Sequence, residues 1–218
     1  MKQAIVFDLD GTLLDTLEDL AAAVNRVLAS HDFPTHHVDA YRYFVGDGAR
    51  TLFERVLPER HRSEELLEAC LEEFREDYGR NWNVRTRPYP GIESLLHALV
   101  ARGTRLAVLS NKPHELTLKC VEGILPHWTF EEVLGQRPGV PKKPDPAGAR
   151  ELIARMKLAP GAFLYLGDTA TDMRTATAAG MLAVGALWGF RTAEELASNG
   201  ARHLVAHPLE VVPLLELA

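Results

Sequence analysis

Hydrophobic and polar positions fall in blocks along the chain, and the period changes from block to block. The first block is Ile5-Val6-Phe7-Asp8-Leu9-Asp10-Gly11-Thr12-Leu13, a short apolar run closed by two carboxylates, a glycine and a hydroxyl. Val and Ile with an aromatic, bounded by Asp and Gly, predict a buried strand of a parallel sheet. Leu17, Leu20, Ala21, Val24, Val27 and Leu28 then recur at helical spacing, so a helix is expected from about Thr16 to Ser30. Shorter helices are expected over His37–Phe44 and Ala49–Val56, and a long one, capped by Ser63, to about Trp82. Tyr41, Tyr43 and Phe44 are expected to pack in the core of this helical stretch. No convincing strand lies between Thr16 and Arg85. The segment reads as a helical insert placed directly after the first strand.

Arg87-Pro88-Tyr89-Pro90-Gly91 is a proline-rich connection and a hinge candidate. Beyond it strands and helices alternate. Strands are expected at Arg105–Leu109, Phe130–Leu134, Ala162–Leu166, Leu182–Leu187 and, weakly, His203–Val205. Helices are expected at Ile92–Ala101, Pro113–Gly123, Pro146–Met156, Asp172–Ala179, Ala193–Ala197 and from Leu209 onward. Repeated strand–helix units imply an α/β fold, a doubly wound parallel sheet with helices on both faces. The expected domains are residues 1–14 with 86–218 as the α/β core, and 15–85 as the inserted helical domain.

Composition narrows the function. The chain has 218 residues, 46% hydrophobic and 25% charged, with a net charge of -6 and no basic block, which argues against wrapping nucleic acid. No stretch approaches a membrane span, and the N-terminus lacks the long apolar region of a signal peptide. Cys70 and Cys120 fit no metal or redox spacing and read as small buried hydrophobes of a reducing, cytoplasmic compartment. His31, His36 and His37 read as a solvated loop rather than a metal site.

Candidate chemistry gathers at the carboxyl ends of the expected strands, where open α/β sheets bind ligands. Residues two apart in extended chain point the same way, so Asp8 and Asp10 can face one site. Adjacent carboxylates repel unless something cationic lies between them, and a hard divalent metal suits oxygen ligands. A plain Asp-Gly turn after a strand explains the same residues. Ser110-Asn111 follows Leu106–Leu109, and Gly167-Asp168-Thr169 follows Phe163–Leu166, with Asp172 one helical turn on. Alone, Ser110-Asn111 reads more readily as a turn or N-cap than as a ligand, and Gly167-Asp168-Thr169 at least as readily as a helix cap. Lys142 and Lys143 precede Pro144-Asp145-Pro146 and alone read as solvated. Together the set is far more specific: paired carboxylates, a distal carboxylate pair, a hydroxyl and a lysine make a phosphoryl-transfer site.

These residues resemble a known family. Asp8-Leu9-Asp10-Gly11-Thr12-Leu13, Ser110-Asn111-Lys112-Pro113, Lys143-Pro144-Asp145-Pro146 and Gly167-Asp168-Thr169 with Asp172 resemble, in order, the four motifs of the haloacid dehalogenase superfamily. Pro88-Tyr89-Pro90-Gly91 and the segment from Trp188-Gly189-Phe190 resemble its phosphoglycolate phosphatase-like branch. The resemblance implies a Rossmann-like core with an inserted α-helical cap, and a Mg²⁺-dependent phosphatase working through an aspartyl-phosphate. Asp8 is then the nucleophile and Asp10 the general acid/base. Mg²⁺ is held by Asp8, the main-chain carbonyl of Asp10, and Asp168, with Asp172 supporting it from behind. Ser110 and Lys143 hold the transferring phosphoryl group, and Asn111 belongs to the substrate set. The helical insert becomes a lid, with Gly46, Gly48 and Arg50 as its substrate-facing group. A small phosphorylated metabolite is the expected partner, 2-phosphoglycolate the first candidate, and the chain a monomer or homodimer. A sugar phosphomutase, a pyrophosphatase or nucleotidase, and an inactive phosphate-ligand-binding protein are the alternatives. No lysine occurs between Asp15 and Pro90, which removes the Schiff-base lysine that a C–P hydrolase needs.

Overall fold

The computed structural model describes residues 1–217. The chain divides into two compact units, Met1–Asp15 with Pro88–Ala218, and Thr16–Arg87. In chain order, β1 (Ala4–Phe7) and β2 (Leu14–Asp15) are followed by α1 (Leu17–Ser30), α2 (Tyr41–Phe44), α3 (Ala49–Val56) and α4 (Glu64–Asn81). Next come β3 (Arg87–Pro88), α5 (Ile92–Ala101), β4 (Arg105–Pro113), α6 (His114–Ile124), β5 (Glu132–Gln136) and α7 (Ala147–Met156). Then β6 (Phe163–Gly167), α8 (Ala170–Ala179), β7 (Leu182–Ala186), α9 (Ala193–Ser198), β8 (His203–Val205) and a 3₁₀ run at Pro208–Glu216 complete the order.

The first unit is built on a six-stranded sheet in the order β5-β4-β1-β6-β7-β8, every pair parallel. Ala4, Ile5, Val6 and Phe7 are each 0% exposed, as an apolar run with no alternation requires when both faces are covered. One core face packs Val6, Leu109, Ala149, Leu152, Tyr165 and Met173 together. Phe7 pairs with Val108 on one side and Leu166 on the other, so the ends of β1, β4 and β6 lie side by side. Chain order reverses at β1, the switch point at which such sheets place their sites.

Several elements differ from expectation, among them the unexpected β2 and β3 and the shift of β5 to Glu132–Gln136, and two of the differences have a clear physical reason. β4 does not stop at Leu109. Its pairing with β5 breaks after Leu109 and resumes at Pro113, so Ser110-Asn111-Lys112 form a bulge. Bulges re-aim side chains where ladder pairing is interrupted. The expected last helix is a 3₁₀ run, with Pro213 inside it unable to donate a backbone bond.

The second unit holds four α-helices, and among the described residues its only strand residue is Arg87, where β3 begins. α1 and α3 both pack on α4. Ser63 accepts a bond from the Leu66 amide and starts α4 as its sequence predicts. Phe53 meets Phe74 edge-on at 5.7 Å and Phe74 stacks on Tyr78 at 5.3 Å. Tyr41 is buried, but Tyr43, expected in this core, is 57% exposed. Positions 41 and 44 share a helix face, and 43 points away from it. The buried Asp19 carboxylate accepts the Arg85 amide, the Thr86 amide and the Thr86 hydroxyl, at 2.7–3.1 Å. That clasp ties the start of α1 to the last residues of the unit.

Candidate active site

Asp8 follows β1 directly and is buried, its Oδ1 accepting the Leu9 amide at 2.7 Å. Lys143 Nζ lies 2.9 Å from Asp8 Oδ1 and 2.6 Å from Asp172 Oδ1. The same ammonium reaches the Leu109 carbonyl at 3.0 Å and the Tyr165 hydroxyl at 3.2 Å. Asn111 sets the backbone of this lysine. Its side-chain amide donates to the Lys143 carbonyl at 3.0 Å and accepts the Lys143 N–H at 2.8 Å. The Ser110 hydroxyl accepts the Lys112 amide at 3.2 Å and fixes the bulge.

Asp168 follows β6 and is 0% exposed. Its carboxylate accepts the Thr12 hydroxyl and the Phe190 amide, at 2.7 and 2.8 Å. Two glycines permit this packing. At Gly11, φ is +85° and a Cβ would lie 2.3 Å from Asp168 Oδ2; at Gly189 a Cβ would lie 2.2 Å from Asp168 Cβ. Asp172 forms the capping box of α8 with Thr169. Oδ2 accepts the Thr169 amide and hydroxyl, while Oδ1 takes Lys143 and Tyr165. All of its lone-pair capacity is spent inside the protein, so Asp172 orients Lys143 and contributes charge.

Ligand oxygens of Asp8, Asp168 and Asp172 lie within 4.8 Å of one another, all three residues buried. Burial, then the Asp172 charge, push the Asp8 carboxyl well above its usual range, against the pull of Lys143. Burial and the Asp172 charge likewise push Asp168 up to about 7. Burial works to lower the Lys143 ammonium, but Asp172 and Asp8 outweigh it and hold the group charged. The Lys143 ammonium, with the Arg191 guanidinium acting on Asp168, thus stands against three buried carboxylates. An excess of hard, desolvated oxygen charge is what a divalent metal neutralises, so the donor set fits a metal.

Asp10 stands apart from that side-chain cluster. Its Oδ1 accepts Lys112 Nζ at 2.8 Å. All seven expected core site residues belong to the first unit: Asp8, Asp10 and Asp168 follow β1 and β6, Ser110 and Asn111 sit in the β4 bulge, Lys143 in the loop after β5 and Asp172 in α8. Gly46, Gly48 and Arg50 belong to the second. Gly46 and Gly48 take φ of +110° and +87° in the turn that opens α3. Arg50 donates to Glu64 and Glu68 and pairs with Glu54 at 3.3 Å. Its three partners are all solvent-exposed glutamates. The side-chain amide of Asn111, a residue expected in the substrate set, holds the Lys143 backbone.

Three residues here carried no role in the sequence reading. Thr12 and Lys112 lie inside recognised motifs, and polarity in a motif was the available signal. Tyr165 gave none, being one aromatic in an apolar strand; its buried hydroxyl is held by Lys143 and Asp172.

A doubly wound parallel sheet with buried aspartates and a lysine at its switch point defines an α/β protein with an acidic, metal-fitting site. Residues 5–186 match the family described as haloacid dehalogenase-like hydrolase, and the chain belongs to it. It is 33% identical over 98% of its length to a phosphoglycolate phosphatase of Aquifex aeolicus, covering 97% of that protein. It is 35% identical over 87% of its length to one of Mesorhizobium japonicum, covering 84% of it. A haloacid dehalogenase-like family hydrolase of Streptococcus pneumoniae shares the fold, with a TM-score of 0.88 at 23% identity over 99% of both chains.

Proposed function

We propose that this enzyme is a Mg²⁺-dependent phosphatase of small phosphate monoesters, with 2-phosphoglycolate as first candidate. The observation that carries the reading is the buried Asp8 carboxylate at the end of β1, held by Lys143 beside Asp168. Its curated relatives of comparable length, named phosphoglycolate phosphatases, support the substrate class. Bound Mg²⁺, held by Asp8, the Asp10 carbonyl and Asp168, supplies positive charge to the phosphoryl oxygens.

The remaining work falls to the chain. Lys143 and Ser110 orient the phosphoryl group, and Lys143 offsets its charge. The Asp8 carboxylate attacks phosphorus as the ester P–O bond breaks, and Asp10 gives a proton to the leaving oxygen. Asp10 then takes a proton from water as the water oxygen attacks phosphorus, and the bond to Asp8 breaks. Asp8 returns as carboxylate, with inorganic phosphate and the alcohol as products. Thr12 and the Phe190 amide keep the Asp168 carboxylate oriented. The helical unit is the cap that selects the rest of the substrate. Its insertion between β1 and the remaining core strands supports this. We place the reaction in the cytoplasm, in a monomer or homodimer. Separately, no helix of the described residues is long and apolar enough to cross a membrane.

Phosphate release from a panel of phosphate esters, with Mg²⁺ and after chelation, tests the reading. 2-Phosphoglycolate is expected to lead the panel, chelation to stop turnover and Mg²⁺ to restore it. Asp8→Asn is expected to abolish turnover in a folded protein. Turnover that survives exhaustive chelation removes the metal, and near-normal turnover in Asp8→Asn removes the mechanism.

A further inference from the structure

The site holds two buried lysines, and the proposed phosphoryl chemistry uses only Lys143. Lys112 is the other. Its side chain is 4% exposed and its ammonium lies 2.8 Å from Asp10 Oδ1. A buried ammonium is costly to desolvate and is retained where a close carboxylate compensates it. The backbone around Lys112 is fixed on both sides. Its amide donates to the Ser110 hydroxyl at 3.2 Å, and its carbonyl accepts the Thr117 hydroxyl at 3.1 Å. Gly135 closes the rear of this turn, since a Cβ there would lie 2.7 Å from the Lys112 carbonyl. The bulge that breaks the β4–β5 ladder carries Lys112, and β4 is the strand beside β1. Had β4 ended at Leu109, nothing would hold Lys112 beside the turn after β1.

We infer that Lys112 is the positioning residue of the general acid/base Asp10. It clamps one oxygen of Asp10 and leaves Oδ2 to carry the proton. Asp10 keeps 17% of its side chain exposed, enough for the free oxygen to meet a leaving group and then a water. Proton transfer requires heavy atoms at hydrogen-bond distance, so a carboxylate free to turn loses much of its effect. The bulge thus serves both halves of the chemistry: Ser110 lies at its start, toward the phosphoryl group, and Lys112 at its end, toward Asp10. This rests on the assignment of Asp10 as acid/base given above.

A double-mutant cycle tests it, with Asp10→Asn, Lys112→Met and the pair, assayed on 2-phosphoglycolate with Mg²⁺. Lys112→Met is expected to lower kcat about tenfold or more, a fraction of the roughly 10²–10⁴ that acid–base catalysis contributes. KM should stay within about twofold. In the Asp10→Asn background the same change should cost nothing further. Lys112→Arg, which keeps a cation and a donor, should retain more kcat than Lys112→Met; if Lys112→Met does not fold, the cycle is run with Lys112→Arg. Urea denaturation of the metal-free proteins should be non-additive too, since the pair exists before any substrate binds. Equal kcat losses in both backgrounds overturn the inference while leaving Asp10 as acid/base. A raised KM with intact kcat overturns it in favour of substrate contact, and additivity in urea overturns the pair itself. No loss of kcat in Asp10→Asn alone overturns the acid/base assignment, and the inference with it.

Discussion

Two ionic clusters in this chain have nearly the same composition and opposite physical standing. In the first unit Lys143 faces Asp8 and Asp172; in the second Arg50 faces Glu54, Glu64 and Glu68. The Lys143 side chain is 3% exposed and that of Arg50 41%. Around Arg50 water screens every charge, so the pairs are weak and exchangeable. Around Lys143 no water competes, the carboxyl of Asp8 shifts far from its usual range, and each group fixes its neighbours. A cation among carboxylates is therefore no evidence of a site. Burial with an unbalanced charge is.

The largest effect that separates the clusters is removal of the cation. Lys143→Met leaves Asp8 and Asp172 buried without their partner. It should destabilise the protein by about 3–5 kcal/mol and end turnover. Urea denaturation and phosphate release check the two consequences; a loss under about 1 kcal/mol would mean that water enters the site.

The next effect is a pH dependence. Asp168, pushed up to about 7 by burial and the Asp172 charge, holds a proton when folded where the unfolded carboxyl, near 3.8, has lost it. Its contribution to stability is therefore fully present below about pH 4 and is lost as pH rises through about 7. Comparing denaturation of wild type and Asp168→Asn in chelator from pH 5 to 8 isolates this term. The wild type should lose stability relative to the variant as pH rises. A difference that stays constant over this range would break the assignment.

Smaller is the loss of the backbone clasp. Asn111→Ala removes both bonds to Lys143, each contributing about 0.5–1.5 kcal/mol. Turnover should fall with stability, because the lysine backbone is released. Loss of substrate affinity alone would place Asn111 in the substrate set rather than behind Lys143.

The smallest effect is expected at Arg50→Ala, which should leave both the melting temperature and kcat/KM for 2-phosphoglycolate close to wild type. A large loss confined to 2-phosphoglycolate, with nitrophenyl phosphate unaffected, would show that the arginine leaves its glutamates for a substrate carboxylate.

Much of the fold is legible in local sequence. Strand β1 announces itself as an unbroken apolar run, and α1 and α4 by helical spacing and, for α4, a serine cap. These are nearest-neighbour properties, set by the period of side-chain directions and by capping chemistry. The motif residues Asp8, Ser110, Lys143 and Asp168 stand out only as a set and through the family resemblance, since each alone also reads as a turn, a cap or a solvated lysine. The 3₁₀ ending at Pro208–Glu216 could be read only in part, although Pro213 was there to see.

What tertiary structure alone decided is which polar groups meet. Lys112 looks like any lysine before a proline until the β4 bulge carries it to Asp10, 102 residues away in sequence. Tyr165 looks like core until its hydroxyl is found between Lys143 and Asp172. Asn111 meets the Lys143 backbone and Arg50 meets three glutamates, contacts that no local pattern announces. The physical reason is range. Periodicity and capping act within a few residues. Desolvation and pairing of charge depend on every atom brought near, and those neighbours exist only once the sheet has set its register.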